Sequence, residues 1–184
     1  MKLRIPTRLD EITLGQLMEI SKLELSEIPI IEVQKRTIEI LTGCDSDTIN
    51  LFRLEDLDSI YVSLANVLSE GVVKLHKLVT IEGVKYGFHP DLSSISSGEF
   101  IDIDTFQKEQ QDNLHLILAV LYRPVILEKR GKYQIEPYGE GVQERSEIFK
   151  RAMPANVVNG SIAFFLTIGS DYLSDLLTSS QEVA

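Results

Sequence analysis

The chain has no tryptophan and one cysteine, Cys44, in 184 residues. A lone thiol excludes an intramolecular disulfide and any zinc site built on cysteine pairs, and it suits a reducing compartment. Histidine is scarce as well. His76, His89 and His115 fall in three different predicted elements and show no metal-ligand spacing. Long apolar runs are missing. The best candidate, Ile162–Ile168, falls far short of the roughly 20 residues that span a bilayer. The opening MKLRIPTRLDE carries no apolar core of the secretory type. A membrane role is therefore not expected. Basic residues are in deficit, 18 Lys and Arg against 28 Asp and Glu, for a net charge of −10. A surface of that sign repels phosphate backbones, so direct nucleic-acid binding is not expected. The short basic clusters at Lys74–Lys77 and Glu128–Lys132 read as solvated turn or helix-end charges.

Signature loops are absent too. Gly139-Glu140-Gly141 lacks a third glycine and a following Lys-Ser/Thr, and Gly-x-Ser-x-Gly does not occur. Glu99, Asp102 and Asp104 form the densest acidic group. On a helix, Glu99 and Asp102 share a face and Asp104 points elsewhere, which is not the convergent oxygen set a divalent cation needs. They read instead as helix-start charges that complement the helix dipole. His115, on an apolar helix, reads as a satisfied structural residue, and His89, before Pro90, as a strand-end residue. Cys44 has no fixed base beside it. No catalytic residue, cofactor or metal is expected, and the protein is read as a non-enzyme.

What is present is a clear alternation of periods. Thr13 with Gln16 has capping-box spacing and opens a helix bearing Leu17, Ile20 and Leu23. Pro29 precedes a second helix with Ile31, Ile38 and Leu41, closed by Gly43. Asp45 caps a short helix, and residues 54–68 repeat apolar positions at three- and four-residue steps. The period then shortens. Residues 78–88 flank Glu82-Gly83 as a β-hairpin, and residues 125–137 form a second hairpin about Arg130-Gly131. Between them, Ser96 with Glu99 is a second capping box, and Leu114–Leu121 is an apolar helix stopped by Pro124. Residues 144–152 and 157–177 are predicted helical, with Gly160 and Gly169 marking a kink or a close contact. Residues 1–8 read as a short strand or arm, and 178–184 as a frayed tail. The predicted fold is a single α+β domain, mainly helical, with two hairpins laid beside the helices or projecting from them.

With no chemistry legible, function is sought in surfaces. Mean hydropathy is +0.03, high enough to suggest interfaces with other chains. The candidate contact residues are Leu3 and Ile5 in the arm, and Glu82 and Gly83 at the first hairpin tip. Lys129 and Arg130 at the second tip, Arg123 at the helix stop, and Phe165 beside Phe164 complete the set. Arg123 is expected either to bond the last carbonyls of its helix or to reach an acidic partner, with Tyr122 covering the helix end.

Ser96-Ser97-Gly98-Glu99-Phe100-Ile101-Asp102, Ala119-Val120-Leu121-Tyr122-Arg123-Pro124 and Ala163-Phe164-Phe165-Leu166 follow one another in this order. With the opening EITLGQLMEI and the hairpin exit KYGFHPDLSS, they make the chain resemble small virion or morphogenesis proteins of tailed bacteriophages. These are the crAss-like and related phages of Bacteroidota. The resemblance covers about residues 12–165. It implies a virion structural protein at the capsid, portal vertex or tail, a homo-oligomer in a ring or lattice with other phage structural proteins as partners. Its place would be the virion, assembled in the host cytoplasm. The alternative it implies is a tail-assembly chaperone or other non-virion morphogenesis factor.

Overall fold

The computed structural model describes residues 3–24, 27–71 and 74–164. Helices α1 (Leu14–Glu24), α2 (Ile30–Thr42), α3 (Ser46–Ile49) and α4 (Leu54–Leu68) come first. Strands β1 (Leu78–Ile81) and β2 (Val84–Phe88) follow, then α5 (Ser97–Gln107) and α6 (Gln110–Leu121). Strands β3 (Tyr122–Lys129) and β4 (Lys132–Ile135) and helix α7 (Val142–Ala152) come next. Residues 155–164 are again helical. The result is a mainly helical α+β fold.

The two hairpins do not stand apart. They join edge to edge in one antiparallel sheet, order β1-β2-β3-β4, through the β2–β3 pairing of Tyr86 with Pro124 and Phe88 with Tyr122. Gly87 makes this junction possible. A Cβ there would lie 2.6 Å from the Tyr133 ring and 2.9 Å from Ile135. The ring crosses the sheet over Gly87, and its hydroxyl donates to the Phe88 carbonyl at 2.6 Å. Both hairpin tips have two residues with positive φ, Glu82 (49°) with Gly83 (81°) and Arg130 (53°) with Gly131 (75°). That twist matches the strands, as in a type I′ turn.

The helices start where side-chain chemistry directs. Gln16 N–H bonds the Thr13 hydroxyl at 3.3 Å and the Gln16 side chain accepts from Thr13 N–H at 2.9 Å. Asp45 accepts from Thr48 N–H, and Gly43 closes α2 at φ 68°. Buried side chains fall into two clusters. One lies between the sheet, α1, α6, α7 and 155–164, with Phe88, Leu118, Tyr122, Phe149 and Met153 inside. The other holds Ile12, Ile38, Ile49 and Leu64 among α2, α3 and α4. Helix α1 serves both: Met18 faces the first and Ile20 the second. The chain also ties Leu14 N–H to the Met153 carbonyl and Ala155 N–H to the Ile12 carbonyl, both at 2.8 Å.

Some expectations change. Residues 3–7 have no strand partner among the described residues, and Leu3 and Ile5 lie half-buried against the second cluster. Tyr122 is the C-cap of α6, its N–H bonding the Leu118 carbonyl, and it also begins β3 as a fully buried residue. The end of α6 is bonded by Arg145, whose Nε donates to the Ala119 carbonyl at 2.8 Å, and not by Arg123. Ile31 is an exposed residue of α2.

Candidate functional site

Helix α5 starts at Ser96, whose hydroxyl accepts from Glu99 N–H at 3.3 Å while Glu99 Oε2 accepts from Ser96 N–H at 2.7 Å. This reciprocal cap fixes the Glu99 side chain and turns its second oxygen inward. There Glu99 Oε1 meets Arg123 at 2.6 Å and His89 Nε2 at 3.5 Å. All three side chains are buried, with 4%, 5% and 8% exposed for Glu99, Arg123 and His89. The Glu99–Arg123 contact is an ion pair without hydrogen-bond alignment, since neither Glu99 Oε1 nor Arg123 Nε has a hydrogen-bond partner among the described residues. Burial alone would raise the Glu99 carboxyl. The Ser96 cap, then Arg123 and His89, outweigh it and hold the group below its ordinary value. Tyr138 stacks over Arg123 with the guanidinium 5.8 Å from the ring centre, and its hydroxyl donates to Asp102. Burial and then Asp102 push that hydroxyl up to about 12.

His89 is fixed through one ring nitrogen. Its Nδ1 accepts from Asp91 N–H at 3.3 Å, so the proton sits on Nε2, facing Glu99. Desolvation lowers its pKa, Arg123 adds to this, and Glu99 and Asp91 oppose it. The Asp91 carboxylate is used by Ser93 N–H and Oγ at 3.0 and 2.7 Å. The buried trio thus locks the β2 exit, α5 and β3 together. Among the described residues no group of His, Cys, Asp and Glu could hold a metal ion.

In front of this lock lies a groove of about 1240 Å³ between the β2 exit, α5 and the β3–β4 turn. Phe88, Ile103 and His89 are its buried members, with Leu92, Ile95, Tyr133 and Phe164 half-buried. Phe100 stands at its edge, 62% exposed. Lys77 and Lys132 also line it. A second cavity of about 240 Å³, lined by Ile20, Val33, Tyr61 and Leu68, is a smaller gap between α1, α2 and α4.

The sequence-predicted contact residues scatter over this frame. Lys129 and Arg130 are exposed at the β3–β4 tip. Glu82 and Gly83 are exposed at the other tip, but Glu82 is held by Arg151 of α7 through two hydrogen bonds of 2.7 and 2.6 Å. Arg123 is interior, 4% exposed, and meets Glu99 rather than a partner. Phe165 lies outside the described residues. Its neighbour Phe164 packs 5.5 Å from Phe88 and lines the groove. His115 is not satisfied as expected: its buried Nδ1 lacks a hydrogen-bond partner among the described residues. The groove is not legible in the sequence because its lining comes from five separate stretches. Phe100, an aromatic beside a capping glutamate, was the one local signal. Compared with protein-family models, curated proteins and solved structures, the chain matches none at a significant level.

Proposed function

We propose that this protein acts through protein–protein contacts, as a non-enzymatic structural component of a tailed-phage particle assembled in the host cytoplasm. The groove carries this reading. It is broad, mostly apolar, rimmed by an exposed phenylalanine and backed by a rigid buried ion pair, the build of a docking surface rather than of a reaction centre. The histidine in its wall has Nδ1 taken up by the Asp91 N–H. The resemblance of Ser96–Asp102 and Ala119–Pro124 to phage morphogenesis proteins supports the particle as the setting. Repeated copies in a ring or lattice at capsid, portal vertex or tail would bury the exposed apolar residues.

A second reading, a tail-assembly chaperone, is favoured by the same groove, because a chaperone must hold an apolar segment of a tail component. Mass spectrometry of purified particles separates the two. Presence at stoichiometric copy number is expected for the virion protein. Absence from mature particles, with presence in cell lysates, would leave the chaperone.

A further inference from the structure

Resting on the contact reading above, we propose that the groove receives a helix of a partner protein that has an apolar face and acidic flanks. At about 1240 Å³ the groove exceeds the roughly 300–1,000 Å³ of a small-molecule site. Two turns of helix, about 11 Å long and 10 Å wide, fill about 850 Å³. Phe88, Leu92, Ile95, Phe100 and Tyr133 give such a helix an apolar bed. Helix-in-groove recognition uses side chains spaced three and four residues apart, which such an apolar bed accepts.

Charge selects the flanks. Lys77 and Lys132 line the groove, are exposed, and make no ion pair among the described residues. Of the two acids that also line it, Asp104 lies 3.6 Å from Lys108, while Asp91 accepts from Ser93 and keeps its charge. Two lysines against one remaining carboxylate leave the rim positive, in a chain whose net charge is −10. The long-range repulsion of an acidic partner is screened beyond about 8 Å at physiological salt, so the contacts at the rim decide.

The test titrates the full chain into two fluorescein-labelled 18-residue peptides with the same leucine face, one with glutamates and one with lysines on the other face. The glutamate peptide is expected to bind about tenfold tighter, the worth of two rim ion pairs against two like-charge contacts. It should gain helical dichroism on binding, and the Lys77→Glu/Lys132→Glu variant should reverse the order. Equal binding of both peptides, or an order unchanged in that variant, overturns the proposal. So does a disulfide between Lys132→Cys and Asp171→Cys, which would seat this chain in the groove, its own in a monomer or a second copy's in a covalent dimer. If neither peptide binds while Phe100→Asp still blocks particle assembly, the acidic helix is wrong and the contact reading stands. If Phe100→Asp is also silent, both fall.

Discussion

Glu99 serves two partners with two oxygens, and substitution separates them. Glutamine keeps the cap, because its side-chain oxygen can still accept from Ser96 N–H, but it removes the charge facing Arg123. Breaking a buried pair from one side costs about 3–5 kcal/mol, since the remaining charge stays desolvated. Glu99→Gln should therefore lower unfolding stability by that order in denaturant titration, and adding Arg123→Met should restore much of it. Tyr122 makes the same point with neutral groups. Its hydroxyl lies 2.8 Å from the His76 carbonyl and 2.9 Å from Ser161 Oγ. Tyr122 donates to the His76 carbonyl, and the single Ser161 proton is shared between Tyr122 and the Val157 carbonyl, 2.8 Å away. Tyr122→Phe strands the carbonyl and should cost about 1–3 kcal/mol by the same titration. pH acts here too. His89 and His115 have pKa values below their ordinary 6.5, chiefly through desolvation. The unfolded chain binds protons first, so stability present above pH 6.5 is lost as pH falls through the folded values. Glu99, also lowered, removes more below its ordinary 4.5. Thermal melts between pH 7.5 and 4 should show Tm falling with pH, and His89→Gln should flatten the upper part of the curve.

At the scale of elements, close approaches decide how the hairpins and helices meet. A methyl group on Gly87 enters the Tyr133 ring, and one on Gly160 comes within 2.3 Å of the Lys74 carbonyl. Gly87→Ala should cost about 1–3 kcal/mol by overpacking. It should also speed amide exchange at the β2–β3 junction more than at the β1–β2 turn. The local grammar of the fold was readable from sequence. Thr13/Gln16 and Ser96/Glu99 are capping boxes, Gly43 closes α2, and both hairpin turns lie where Glu82-Gly83 and Arg130-Gly131 place them. These features involve residues within a few positions of one another. The joining of the hairpins was not readable, because it depends on Tyr133 crossing Gly87, 46 positions away in sequence. Arg123 shows the limit most clearly. Next to Pro124 it reads as a helix-end charge, yet its partner Glu99 is delivered by another helix.

For the whole molecule, the two buried clusters joined by α1 give a rigid body, and exposed apolar side chains gather outside it. Phe100 and Ile101 on α5, Ile126 and Leu127 on β3, Leu51 in the turn before α4 and Leu54 at its start are each more than half exposed. A protein that works by contact should bury some of these in assembly. Light scattering of the purified chain is expected to give a mass above the 20.7 kDa of one copy, and Phe100→Asp is expected to alter partner capture without lowering Tm by more than a few degrees. The most direct measurement is the yield of infectious particles when the native gene is replaced by Phe100→Asp or by His89→Gln. If the groove works as a docking surface, Phe100→Asp abolishes particle formation while the folded protein still accumulates, and His89→Gln leaves particles forming. Normal particle yield from Phe100→Asp, together with loss of yield from a well-folded His89→Gln, would contradict the account and return the histidine to the centre of function.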